Sequence, residues 1–197
     1  MEDKSLESEA GSFDSDIGDE TEARSQSQEP KIKNLELIQS ISYILSKIIE
    51  ENKKLPNIKE IISKQNKMCF SYNSIPKISI KDYLERIQEY TRIEQNTLIL
   101  SLIYIDRLCS IGKIVLTYYN IHKILFASIL IAIKYNEDRF YDNKYYAEID
   151  GVKINELKLM EFNFILISEY QMFVSEEIFT TYHDYLNSFS KNQSLNI

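Results

Sequence analysis

The chain has 197 residues, 44% apolar and 27% charged, with only 4 Gly and 3 Pro, which suits one globular domain with a tail and leaves too few turn formers for an all-β sandwich. The net charge of −7 is concentrated in residues 1–30, where ten acids face only Lys4 and Arg24, so the near-neutral remainder lacks the basic stripe of a nucleic-acid binder. Cys69 and Cys109 sit in no metal spacing, the acidic N-terminus has no signal-peptide core, and the longest apolar run, residues 124–133, is too short to span a bilayer. These features point to a reduced intracellular setting, cytoplasm or nucleus, with no membrane and no nucleic acid as partner.

In chain order, residues 1–30 read as a disordered acidic tail, because Ser, Glu and Asp cannot bury enough apolar surface to offset ordering. Residues 34–52 predict an N-terminal flanking helix, with Leu37/Ile38, Ile41, Ile44/Leu45 and Ile48/Ile49 recurring at three to four residues. Residues 53–78 form a linker punctuated by Pro56 and Pro76, with one helical turn near 58–64.

A packed series follows over residues 79–170. Ser79-Ile80-Lys81-Asp82 predicts a capping box opening a helix to Tyr90, and Thr91-Arg92-Ile93-Glu94 a second box opening a helix to Ser110, with Gly112 as its stop. The segment 120–135 is apolar almost all round, so it is the helix the others wrap. A short helix over 143–149 ends at Asp150-Gly151, and a fifth spans 154–167. Ser175 then caps a C-terminal flanking helix over 175–190. The expected fold is all-α: five helices around a buried middle one, flanked at both ends.

Four charges interrupt apolar stripes. Glu161 shares three-four-three spacing with Ile154, Leu157 and Phe164, so it lies on a seam and needs a cationic or hydrogen-bonding partner. Lys134 closes the most apolar helix, where a cation complements the C-terminal dipole. Arg86 shares a face with Tyr83 and Tyr90, and Asp106 one with Ile99, Leu102 and Ile103; opposite in sign on adjacent helices, they predict a structural ion pair. His122 and His183 have no ligand neighbours at metal spacing, and no nucleophile elbow, P-loop or dinucleotide fingerprint is present. No catalytic residue, metal or cofactor is expected.

Ile75-Pro76-Lys77-Ile78-Ser79-Ile80-Lys81-Asp82-Tyr83-Leu84-Glu85-Arg86-Ile87 resembles the opening of the cyclin box in P/U-type cyclins, the phosphate-signalling class of yeast and its plant relatives. Tyr104-Ile105-Asp106-Arg107-Leu108 resembles that family's second-helix motif, and Asn120-Ile121-His122-Lys123 through Ala132-Ile133-Lys134-Tyr135-Asn136-Glu137-Asp138 its third. Asn143-Lys144-Tyr145-Tyr146-Ala147-Glu148-Ile149-Asp150-Gly151-Val152, then Glu156-Leu157 and Glu161-Phe162, complete the series. The resemblance covers about residues 70–175 and implies a regulatory subunit, not an enzyme. Its partner would be a cyclin-dependent protein kinase, whose N-lobe mobile helix the box pushes into the active position, in cell-cycle or nutrient control. By the same resemblance Lys134 and Glu161 are kinase-binding residues, and Arg86 and Asp106 fall on the family's internal ion pair. The alternative is a cyclin-fold adaptor that binds other proteins or transcription machinery without a kinase; the near-neutral body disfavours DNA, while Lys134 and Glu161 favour the kinase.

Overall fold

A computed structural model describes residues 29–194, with side chains described over 34–190. The acidic tail expected over 1–30 lies outside them, apart from residues 29 and 30, which open the first helix. Eight helices follow in order: α1 Glu29–Asn52, α2 Ile58–Gln65, α3 Ile80–Thr91, α4 Gln95–Gly112, α5 Ile121–Asn136, α6 Asn143–Asp150, α7 Ile154–Ile167 and α8 Glu176–Ser194. No strand occurs among the described residues. The chain is all-α.

Every residue of α5 from Ile121 to Ile133 is buried, and α4, α7 and α3 pack around it. α1 buries Leu37, Ile38, Ile41, Leu45 and Ile49, a stripe that lies mainly on α3 and also on α4 and α8. It is pinned in its second turn and at its C-terminal end, since Asn34 Nδ2 donates to the Ile93 carbonyl at 3.2 Å and Asn52 Nδ2 to that of Leu116 at 3.0 Å. α1 is therefore part of the core.

Local chemistry sets several boundaries. The Asp82 N–H donates to Ser79 Oγ at 3.0 Å, which caps α3, and the Tyr145 N–H donates to Asp142 Oδ1 at 2.9 Å, which caps α6. Gly151, at φ +78°, ends α6 in the left-handed conformation that glycine adopts without penalty. The box expected at Thr91–Glu94 does not form. Thr91 is instead the last residue of α3, where its hydroxyl donates back to the Ile87 carbonyl at 2.8 Å. Arg92 then reverses the chain at φ 51°, and Glu94 precedes α4 without a side-chain cap.

Gly112 is also not the expected stop. It is the last residue of α4, the left-handed residue that ends the helix is Lys113, and a Cβ on Gly112 would fall 2.3 Å from Ile167 Cγ2. The glycine lets the last turns of α4 and α7 approach closely. Gly112→Ala should gain about 1 kcal/mol of helix propensity but lose about 1–3 kcal/mol to overpacking. The net expectation is a lower melting temperature; wild-type melting would show that Ile167 turns aside freely.

The predicted Arg86–Asp106 ion pair is corrected by the structure. Both side chains are exposed, and Asp106 Oδ2 instead accepts a hydrogen bond from Tyr182 Oη on α8 at 3.0 Å. The buried stripe of α3 runs through Ile80, Tyr83, Leu84 and Ile87, so Arg86 and the half-exposed Tyr90 lie beside it and not on it. α4 is buried almost all round from Thr97 to Ile105, so its apolar neighbours could not say which way Asp106 points. The helix packed on α3 is chiefly α1, and α4 meets α5 and α8.

Candidate functional site

Three helices bring their ends and edges together at one half-buried polar cluster. Lys134 is the first residue of α5 to emerge after the buried run that closes with Ile133. Glu161 sits on α7 beside the buried seam of Leu157, Met160 and Phe164. Asn143 opens α6, placed there by the Asp142 cap. Lys134 Nζ stands 2.6 Å from Glu161 Oε1, and Asn143 Nδ2 donates to Glu161 Oε2 at 3.2 Å. The Lys134 and Glu161 side chains are only 23% and 19% exposed. The lysine complements the C-terminal dipole of α5, and the carboxylate the N-terminal end of α6. The two candidate residues, 27 positions apart in the chain, thus share one place.

The surface beside this pair is apolar. Leu159, Phe162 and Leu166 project from α7 on the face opposite its buried seam, and Phe162 is 60% exposed. Tyr135 next to Lys134 and Phe140 in the α5–α6 connection are also exposed. The three-four-three spacing in the sequence marks only the buried seam of α7. The second stripe was present as Leu159, Phe162 and Leu166 at three-four spacing, in a helix apolar on both faces.

A second polar cluster lies within the fold. Lys123, on the helix read as apolar almost all round, has a side chain only 8% exposed; its Nζ meets Glu156 Oε1 at 2.7 Å, donates to the Ser71 carbonyl at 3.2 Å and lies 4.4 Å from the Tyr72 ring centre. Tyr83 Oη donates to Asp150 Oδ1, while Asp150 Oδ2 is buried without a hydrogen-bond partner. Burial pushes the Asp150 carboxyl up to about 6. His122 Nε2 meets the Ile78 carbonyl at 3.1 Å, and burial lowers its affinity for a proton. These groups tie α3, α5 and α6 to one another and to the start of α7.

Neither cysteine is an activated nucleophile: burial pushes Cys69 up to about 11 and Cys109 up to about 12. Among the described residues no three His, Cys, Asp or Glu side chains come together as a metal site. Nor is any described helix long and apolar enough to cross a membrane.

The model of the Cyclin family matches residues 35–172, which run from the first turns of α1 to the segment before α8. The chain belongs to the cyclin family. Members of this family are regulatory subunits of cyclin-dependent kinases rather than enzymes. This cyclin is 29% identical to PHO85 cyclin-7 of Saccharomyces cerevisiae, over 96% of its own length and 74% of that protein. It is 34% identical to Cyclin-U2-1 of Arabidopsis thaliana over 57% of its own length and 51% of the relative. With the PHO85 cyclin-like protein psl1 of Schizosaccharomyces pombe it shares 32% identity, over 66% of this cyclin and 54% of psl1. These relatives are PHO85 cyclins and a plant U-type cyclin, and the likeness is consistent with the P/U type.

Proposed function

We propose that this cyclin binds a cyclin-dependent protein kinase of the PHO85 kind through the face formed by the ends of α5 and α6 and the outer side of α7. The observation that carries this reading is the juxtaposition of the Lys134–Glu161 pair with the exposed stripe of Leu159, Phe162 and Leu166. An apolar face beside a half-desolvated ion pair is a surface that gains by being covered. The stripe supplies contact area for the mobile helix of the kinase N-lobe, and Lys134 and Glu161 supply charge-assisted hydrogen bonds to its ends and edges.

Activation then follows from population shift. In the active kinase a glutamate of the mobile helix reaches the lysine of the N-lobe strand, which orders the ATP phosphates. A cyclin that binds only the inward position of that helix stabilises this state by its differential affinity. The cyclin contributes no atom to phosphoryl transfer. We place the complex in the cytoplasm or nucleus, serving nutrient or cell-cycle control, without nucleic acid or membrane as a partner.

The test is co-purification with a PHO85-type kinase followed by an activation titration. Wild-type cyclin should bring down an active kinase. Phe162→Ala should raise the half-maximal concentration by about tenfold or more, as loss of a central aromatic anchor does. Because Phe162 is exposed, melting of the free cyclin should not change. Absence of any bound kinase, or wild-type activation by Phe162→Ala, would overturn the reading.

A further inference from the structure

The Glu161 carboxylate has two holders, and only one of them is charged. Lys134 takes Oε1 and Asn143 takes Oε2. Lys134 has three N–H donors and spends one on Oε1. Donors that turn to acceptors on a kinase loosen that hold, and a carboxylate this buried is costly to leave half-partnered. Asn143 is the group that can keep it partnered. Its side chain makes no other hydrogen bond among the described residues, so it is committed to Glu161 alone. Nor is it needed to cap α6, because Asp142 performs that role through the Tyr145 N–H.

We infer that Asn143 is a positioning residue for kinase binding: it holds Glu161 in place while Lys134 shares its donors between that carboxylate and acceptors on the kinase. The inference rests on the kinase-docking reading above and adds to it a third side chain, with a defined job. Asn143 acts through Glu161. Its effect on kinase affinity must therefore vanish when Glu161 carries no charge.

The variants that test this are Asn143→Asp and Asn143→Ala, each alone and with Glu161→Gln, in kinase-activation titrations beside melting curves of the free cyclin. Asn143→Asp has the same shape but replaces the donor by a second carboxylate, which repels Glu161 and competes for Lys134. Asn143→Ala should raise the half-maximal concentration about tenfold or more, as expected for losing a hydrogen bond to a charged group, and Asn143→Asp should raise it further. Asn143→Ala should melt near wild type, because Lys134 still holds Glu161 in the free cyclin. Asn143→Asp also lowers the melting temperature through like-charge repulsion, offset in part by the α6 dipole, so the alanine variant is the one that separates binding from stability. In the Glu161→Gln background, Asn143→Ala should add nothing. An additive effect there, or a melting loss that accounts for the weaker activation, would make Asn143 a merely structural residue and overturn the inference. If the Asn143 variants activate like wild type while Lys134→Glu and Phe162→Ala do not, the inference fails and the docking reading stands. If all of them activate like wild type, the docking reading itself has failed.

Discussion

Reversing Lys134 to glutamate should cost this cyclin its hold on the kinase. The change removes the cationic donor from the α5–α7 face and sets a second carboxylate against Glu161, where the native contact is 2.6 Å. Loss of a buried interfacial charge pair costs roughly 2–5 kcal/mol, mostly through faster dissociation. That corresponds to a fall in affinity between about 30-fold and several thousand-fold. From sequence, Lys134 would be solvated in the free chain, so the variant should melt like wild type. The ion pair changes that expectation: two like charges in a half-buried setting also lower stability. A charge swap separates the two effects. Lys134→Glu with Glu161→Lys restores the attraction within the cyclin but presents the kinase with inverted polarity. The double variant should melt near wild type and still fail to activate. A swapped protein that activates at wild-type concentrations would show that the pair serves the fold alone.

What was legible in the sequence follows from where local chemistry decides the outcome. Helices showed where caps and periodic apolar residues agree, as at Ser79–Asp82, at Gly151 and along the stripe of α1. The family resemblance also held, because it rested on four ordered motifs and the match over residues 35–172 spans them. Failures fell where a residue's face was known but not what lay opposite. Arg86 and Asp106 failed a step earlier: both side chains are exposed, so apolar neighbours on the same helix did not give their face. Thr91 looked like a cap because threonine accepts hydrogen bonds in that role, yet its hydroxyl served α3 by bonding back to Ile87. Gly112 looked like a stop because glycine ends helices, whereas the reason for it here is the approach of Ile167 from α7. Lys123 was hidden because an apolar helix hides a lysine whose partners, Ser71, Tyr72 and Glu156, come from elsewhere in the chain. The Asn143 amide was equally invisible: its acceptor is 18 residues away on another helix.

Asp150→Asn should stabilise the cyclin at neutral pH and change how its stability depends on pH. Asp150 closes α6 with Oδ1 accepting from Tyr83 and Oδ2 buried without a partner. Burial is the largest influence on its carboxyl, pushing it from the ordinary 3.8 up to about 6, and the charge of Glu156 acts in the same direction. The Tyr83 hydrogen bond and the positive charges of Lys123 and Arg86 oppose the rise without cancelling it. Between these two values the folded chain holds a proton that the unfolded chain has released. Stability from this group is therefore full below the unfolded value, declines as pH rises toward the folded one, and is absent at pH 7. The decline is of order 2–3 kcal/mol. An asparagine keeps an acceptor for Tyr83 and never ionises, so it escapes the decline. His122 acts in the opposite sense: burial depresses its pKa, so its contribution is present above its unfolded value near 6.5 and is lost as pH falls. The wild-type curve mixes both groups, while the difference between variant and wild type leaves Asp150 alone. Denaturant unfolding of both proteins across acidic to neutral pH should show that difference growing from near zero to its full size as the solution becomes neutral. A difference that stays flat, or an asparagine variant weaker than wild type at pH 7, would mean that the Asp150 charge is solvated and supports the fold.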